Sequence, residues 1–381
     1  MLIPKYAVIC SGSFYMHGKV SIIGAGTAGL VAGRELASGG ISTTIYDQKK
    51  ELGIPVRASG IISISGLKMS GIAYESAVTN TLRGARIHAG SSIMKISARE
   101  PVAKVLDRKR LSDICEYEAD HAGAKIVKGR RITGHMIENL HRNSIMIGAD
   151  GAVSNVAKHF GMGPVERYVL TYKAEFNVDI EDPDSVDLFF DKKAFPGLFA
   201  WTCPNAKDLL EVGVGVDSGK ANSKKAIERF IAMKEVKEMV GDAKMIDNGA
   251  SMIPLRMRKR IVDPEKRVLL VGDAAGQVKG TTGGGIVYGS AAAIMAAKAI
   301  RDNLSKGKSL SEYERMFVRR YGSDLRLHGY INRFYSSLES RTIGRIIGVM
   351  NFLGMDSFVS KYGDMDLPSL LIKRFFLRGL I

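Results

Sequence analysis

Cysteine is scarce in this chain and tryptophan nearly missing: Cys10, Cys115 and Cys203 are the only thiols, and Trp201 the only indole, among 381 residues. The cysteines are far apart and odd in number, with no CxxC pair. That argues against a disulfide framework or a dithiol redox centre and fits a reducing cytoplasm. Proline is sparse at 10 residues, nothing is low-complexity, and no internal repeat is visible. No stretch reaches the roughly 18 apolar residues that a membrane span needs. Zinc-finger spacings and aromatic RNP-type strands are also missing, so nucleic acid is not an expected partner, and no metal site is expected. Acidic residues are in deficit, with 39 Asp and Glu against 55 Lys and Arg, a net charge of +16. Such a surface favours anionic partners, although a merely basic, soluble surface explains it equally well. Residues 1–18 hold one early Lys and no apolar run long enough for a signal peptide. They read as an upstream extension, with Met16 as an alternative start.

Glycine, at 42 residues, is the surplus, and it is concentrated where chemistry is expected. An apolar strand from Lys19 runs into Gly24-Ala-Gly26-Thr-Ala-Gly29 and then a helix with Leu30, Val31 and Leu36 at helical spacing. Gly24 makes the turn, Gly26 lets backbone approach a pyrophosphate, and Gly29 lets helix pack on strand. The helix start offers free N–H groups to phosphates. A second strand, Ser42 to Tyr46, ends in Asp47, 23 positions after Gly24 and near the spacing at which a carboxylate meets ribose hydroxyls. This much fits NAD as well as FAD.

Two later segments favour FAD. Ser144 to Ala149 is an apolar strand ending in Asp150-Gly151, with a helix capped near Ser154. Arg267 to Val271 is another, ending in Gly272-Asp273-Ala-Ala-Gly276 and passing through Thr281-Thr282-Gly283-Gly284-Gly285-Ile286 to an Ala-rich helix expected to end near Ala299. Asp273 at a strand end suits ribityl hydroxyls. The glycines clear the way for backbone N–H groups at the flavin's pyrimidine edge, and the helix's positive end favours an anionic, reduced ring.

These motifs, with Val105-Leu-Asp107-Arg108, resemble the FAD-dependent hydroxylase-type superfamily. Within it the chain is most similar to the geranylgeranyl reductase family, especially archaeal digeranylgeranylglycerophospholipid reductases. That likeness rests on Gly53-Ile-Pro-Val-Arg57 and on Pro196-Gly-Leu-Phe199-Ala-Trp201-Thr-Cys203-Pro204, which resembles the family's PxxYxWxFP signature beside the substrate cavity. It covers roughly residues 18–300, the remainder matching only in its helical, basic character. The resemblance implies an α/β fold: a Rossmann-type FAD-binding domain (19–75, 100–165 and 255–300), an inserted mixed β-sheet substrate domain (76–99 and 166–254), and a C-terminal helical basic segment (301–381). It places FAD contacts at Gly29, Asp47, Arg57, Ala58, Arg108, Asp273, Gly285 and Ile286, with a backbone contact to adenine near Ile126. Gly24, Gly26, Ala28, Gln48 and Asp150 complete the expected site. Three departures stand out. Val56-Arg57-Ala58-Ser59 replaces the family's VRCGEG, so its cysteine is absent. Phe199 and Cys203 replace Tyr and Phe of the tryptophan motif. Lys279-Gly280 stands where Asn-Pro is common.

The implied activity is saturation of isoprenoid double bonds in geranylgeranyl ether lipids by hydride from reduced flavin. Residues 166–254 alternate as strands do, and Phe199, Trp201 and Cys203, with Phe195, are candidates for a polyprenyl pocket, though aromatic clusters are mostly core. Cys203 and Tyr288 are the candidate proton donors, both weak acids at ordinary pKa. Gly213-Val-Gly215 continues a strand, so no separate nicotinamide domain is expected. The electron donor visits the flavin transiently, as NAD(P)H or a ferredoxin. The tail from Arg301 carries 14 Lys and Arg against 8 Asp and Glu, and Ile343–Leu353 and Leu370–Arg378 mix apolar residues with cations. Packing on the protein body explains these segments; so does peripheral contact with an anionic membrane surface from the cytoplasm. Two other readings stay open: a flavin monooxygenase of the same fold, and a non-catalytic flavin-binding or electron-transfer protein.

Overall fold

The computed structural model describes residues 18–371 and 373. Residues 1–17 of the expected extension, and residues 372 and 374–378 of the last basic stretch, lie outside them. The apolar strand Lys19–Ile23 is buried on both faces, as a central parallel strand must be. It pairs in parallel with Ser42–Tyr46 on one side and Ile145–Gly148 on the other. Lys125–Val127 and Val268–Leu270 extend this sheet in parallel, and Val262–Asp263 closes its edge antiparallel. The helices Thr27–Ser38, Arg108–His121 and Ile286–Lys306 cover it, the first packing against both others. Together they bury Ile22, Leu30, Leu36, Ile45, Ile147 and Leu269 in one core. The Ala-rich helix runs past Ala299 to Lys306, because Gly307 in the left-handed conformation is the first residue able to end it.

A second sheet of seven strands has the order 245–254, 168–177, 209–217, 197–206, 185–189, 84–89, 92–97. Only 84–89 and 185–189 pair in parallel. One face packs under helices Ser223–Ile231 and Lys234–Val240 around Val212, Val214 and Phe230. Its other face looks toward the mouth of the parallel sheet. A small antiparallel sheet of 61–63, 103–106 and 78–82 lies between the two. Phe195 is placed differently from the alternation of Phe195, Phe199 and Trp201. A register shift between Gly197 and Ala200 re-phases the strand. Phe195 therefore falls on the helix-covered face, 1 % exposed and edge-on to Phe230.

The chain then continues through helices Glu312–Ser337, Ser340–Phe352 and Met355–Tyr362. Among the described residues, no helix is long and apolar enough to cross a membrane.

Candidate active site

Where the parallel strands end, the glycine loop opens a cavity of ≈ 370 Å³. Gly24 at φ 106° makes the turn, and a Cβ on Gly29 would stand 2.0 Å from the Gly24 carbonyl oxygen, so helix and strand meet only through glycine. Gly26 caps the 27–38 helix with no side chain in the way and no acid in the first turn, leaving its N–H groups to the cavity. Asp47 braces this loop by accepting from Ala25 N (2.7 Å) and Lys49 N (2.8 Å). Gly24, Gly26, Asp47, Gln48, Arg57, Ala58, Arg108 and Asp150 all line the cavity. Asp150, however, spends its oxygens on Ser154 Oγ, Asn155 N and Val156 N, capping the helix Asn155–His159.

Two cations that motif reading missed, Arg130 and Arg131, join Lys49 and Arg57 around this arm. Their signal was positional: they follow the strand Lys125–Val127, and Arg130 N donates to the Asp47 carbonyl at 2.8 Å. Burial, with Arg57 adding to it against Asp47, pushes the Lys49 ammonium below its ordinary pKa.

A second arm of ≈ 400 Å³ shares Gly26, Arg57, Ala58, Arg108 and Gly151 with the first and runs between the two large sheets. Ala28, Asp273, Gly285 and Ile286 line its floor, and Phe199 and Trp201 its wall. Burial pushes Asp273 up to about 6, with Arg108 pulling the other way. Arg108 opens a helix whose N-cap, Asp107, accepts from Lys109 N and Arg110 N. Its Nη1, like Ser59 Oγ, is buried with no protein partner. The 286–306 helix starts at Gly285, again without a side-chain cap or an acid in its first turn.

The wall carries a polar group that pattern reading missed. Trp201 lies flat over the 209–217 strand: a Cβ on Gly213 would come within 2.1 Å of its ring, so glycine makes the seat. Its Nε1 donates to Glu211 Oε1 at 2.8 Å. Glu211 and Glu175 in turn hold Lys173, at 3.5 and 2.6 Å, and the carboxylates raise its pKa against the opposing effect of burial.

Four expected site residues do not line the cavity. Gly29 lies behind the loop, serving the packing its spacing implied. Ile126 packs its side chain against the core beside Ile45, while Arg130, Arg131 and Ile132 just after its strand line the cavity. Cys203 is 0 % exposed beneath the small sheet with Leu82 and Val105, and burial raises its pKa well above the ordinary thiol value. Tyr288 is 0 % exposed, donates to the Asp366 carbonyl, and is likewise raised by burial. Neither candidate acid therefore reaches the chamber.

The groups left free fit FAD: two uncapped helix starts offering N–H donors to pyrophosphate and pyrimidine, a carboxylate to accept from ribityl hydroxyls, and a guanidinium nitrogen lacking a partner between them. Comparison with known proteins agrees. The FAD binding domain family matches residues 19–177, and the geranylgeranyl reductase catalytic domain family matches residues 167–253. Digeranylgeranylglycerophospholipid reductase 1 of Methanothermobacter thermautotrophicus is 28% identical, over 86% of this chain and 89% of its own. An uncharacterised protein of Methanocaldococcus jannaschii is 28% identical over 91% of this chain and 92% of its own, so the likeness reaches beyond residue 300 into the C-terminal helices. The geranylgeranyl bacteriochlorophyll reductase-like structure from Thermoplasma acidophilum shares the fold, with a TM-score of 0.74 at 21% identity over 87% of this chain and 91% of that one.

Fold and site thus define an FAD-dependent oxidoreductase built like the flavin hydroxylases. Within that class the chain is similar to the geranylgeranyl reductases, whose catalytic domain family matches most of its second sheet.

Proposed function

We propose that the protein saturates isoprenoid double bonds of geranylgeranyl chains in membrane ether-lipid precursors. The observation that carries this reading is the second arm: an apolar chamber walled by Leu188, Leu198, Phe199, Trp201 and Ile253 opens directly onto the flavin cradle. Bound, reduced FAD supplies the hydride from N5. The chain's own residues extract the polyprenyl segment from water, set it against the cradle, and supply a proton to the second carbon. With Cys203 and Tyr288 sealed off, the exchangeable groups facing the chamber from the sheet are Thr171, Lys173 and Ser251. The electron donor docks transiently, as NAD(P)H or a ferredoxin.

A lipid substrate leaves its bilayer at a cost, so the enzyme works best held at the surface. Val349, Phe352 and Leu353 stand 58, 90 and 65 % exposed at the end of a helix that also carries Arg341 and Arg345, a combination suited to an anionic interface.

Anaerobic reduction followed by a geranylgeranyl glycerophospholipid tests the chemistry. The expected result is flavin reoxidation with a product heavier by multiples of two hydrogens. Reoxidation only in air, with oxygen incorporated into product, would instead establish a monooxygenase.

A further inference from the structure

One residue far along the chain is tied into the flavin cradle from three sides. Asp366 is 0 % exposed. Its Oδ1 pairs with Lys279 Nζ at 2.7 Å, and its Oδ2 accepts from Ser63 Oγ. Its carbonyl accepts from Tyr288 and lies 3.2 Å from His328 Nε2. Gly66 makes the room, since a Cβ there would come within 2.7 Å of the Asp366 carboxylate. Asp364 shapes the turn by accepting from Asp366 N and Leu367 N, and Ser369 N donates to Asp324. The neighbouring Met365 lines the apolar chamber and is 39 % exposed at its edge. Residues 364–369 therefore form a strap across the chamber.

Lys279 belongs to the cradle as much as to the strap. It exchanges backbone hydrogen bonds with Gly283 and Gly284, and its Nζ lies 3.3 Å from where a Cβ on Gly284 would be. It lines the same arm as Asp273 and Gly285 while its side chain is only 6 % exposed. A buried ion pair adds little net stability, and its best-attested use is to specify one arrangement over another.

We propose that Lys279 is shared between Asp366 and the flavin, so that the charge of the flavin sets how firmly the strap is latched. Reduction adds two electrons and one proton, leaving the ring system one unit more negative; an external two-electron donor supplies the electrons. That charge competes with Asp366 for the Lys279 ammonium and loosens the strap when hydride is ready to leave. By linkage, strap docking in turn disfavours the reduced flavin.

The proposal rests on FAD in the cradle and not on the substrate's identity, so it is tested without lipid and stands or falls apart from the reductase reading. The holoenzyme's midpoint potential would be measured for Asp366→Asn and Lys279→Met. Removing the strap's carboxylate should favour reduced over oxidised FAD about tenfold, roughly 30 mV upward for a two-electron couple. Removing the ammonium should shift the potential downward. Thiol labelling of Met365→Cys should be several-fold faster after dithionite reduction, and equal in both redox states once Lys279→Met is added. Ser63→Ala weakens the strap without removing either charge, so it should speed labelling in both states and, by the same linkage, shift the potential upward by less than Asp366→Asn does. Shifts of the same sign in the two charge variants, or labelling indifferent to reduction, would overturn the proposal.

Discussion

Asp273 is a carboxylate placed where ionisation is costly. Its folded pKa, about 6, exceeds the ordinary 3.8, so the folded protein holds this proton more tightly than the unfolded chain. The stabilising contribution is then fully present below pH 3.8 and is lost as pH rises through about 6. At pH 7.5 an Asp273→Asn apoprotein should therefore resist urea better than the parent, by on the order of 1–2 kcal/mol allowing for cavity water. The advantage should shrink through pH 6 and vanish near pH 4, while FAD binding weakens at every pH. An apoprotein advantage that did not change with pH would show that Asp273 is not held near neutrality by burial. The cost sits at the position that the ribityl hydroxyls need.

Between residues and sheets, the strand 209–217 shows what a local pattern conveys. Gly213 and Gly215 interrupt a run of Leu210, Val212, Val214 and Val216, all pointing into the helix-covered core. A Cβ on Gly213 would collide with Trp201 and one on Gly215 with Leu198, so the glycines make room for side chains of the neighbouring strand and do not form a nucleotide loop. Gly213→Ala should expel the indole, destabilise the protein by about 1–3 kcal/mol and red-shift its single-tryptophan fluorescence. An unchanged emission maximum would rule out the flat seating. The strand–loop–helix around Gly24 was readable because its turn, its packing glycine and its acid all lie within one short stretch. Phe195 was not, because one register shift at Gly197 reverses the faces of everything before it. Cys203 shares the face of Trp201, yet the small sheet built from residues 61–63, 78–82 and 103–106 covers it, and nothing in its own strand announces that cover. Lys173 escaped notice as one charge in an alternating strand; only the third dimension shows Glu175 and Glu211 gathered around it.

At the scale of the molecule, Phe352 at 90 % and Leu353 at 65 % exposure mark the end of the helix Ser340–Phe352, whose cations Arg341 and Arg345 lie nearer its start. Phe352→Glu with Leu353→Glu should abolish co-sedimentation with anionic vesicles at low salt while leaving FAD content unchanged. A parent protein that fails to bind such vesicles would remove the membrane proposal.

The cradle also gathers residues that emerge from the ribosome at very different times. Gly24 and Asp47 come first, Asp273 and the 286–306 helix much later, and Asp366, which braces Lys279 and Ser63, later still. Contacts so distant in sequence close slowly, since each must await a large loop. The nascent chain can form its first βαβ unit but not the flavin floor, so FAD capture awaits the 286–306 helix. Cells short of the cofactor would then accumulate a folded chain with an open cleft between its two sheets, and that species is the one quality-control machinery would meet.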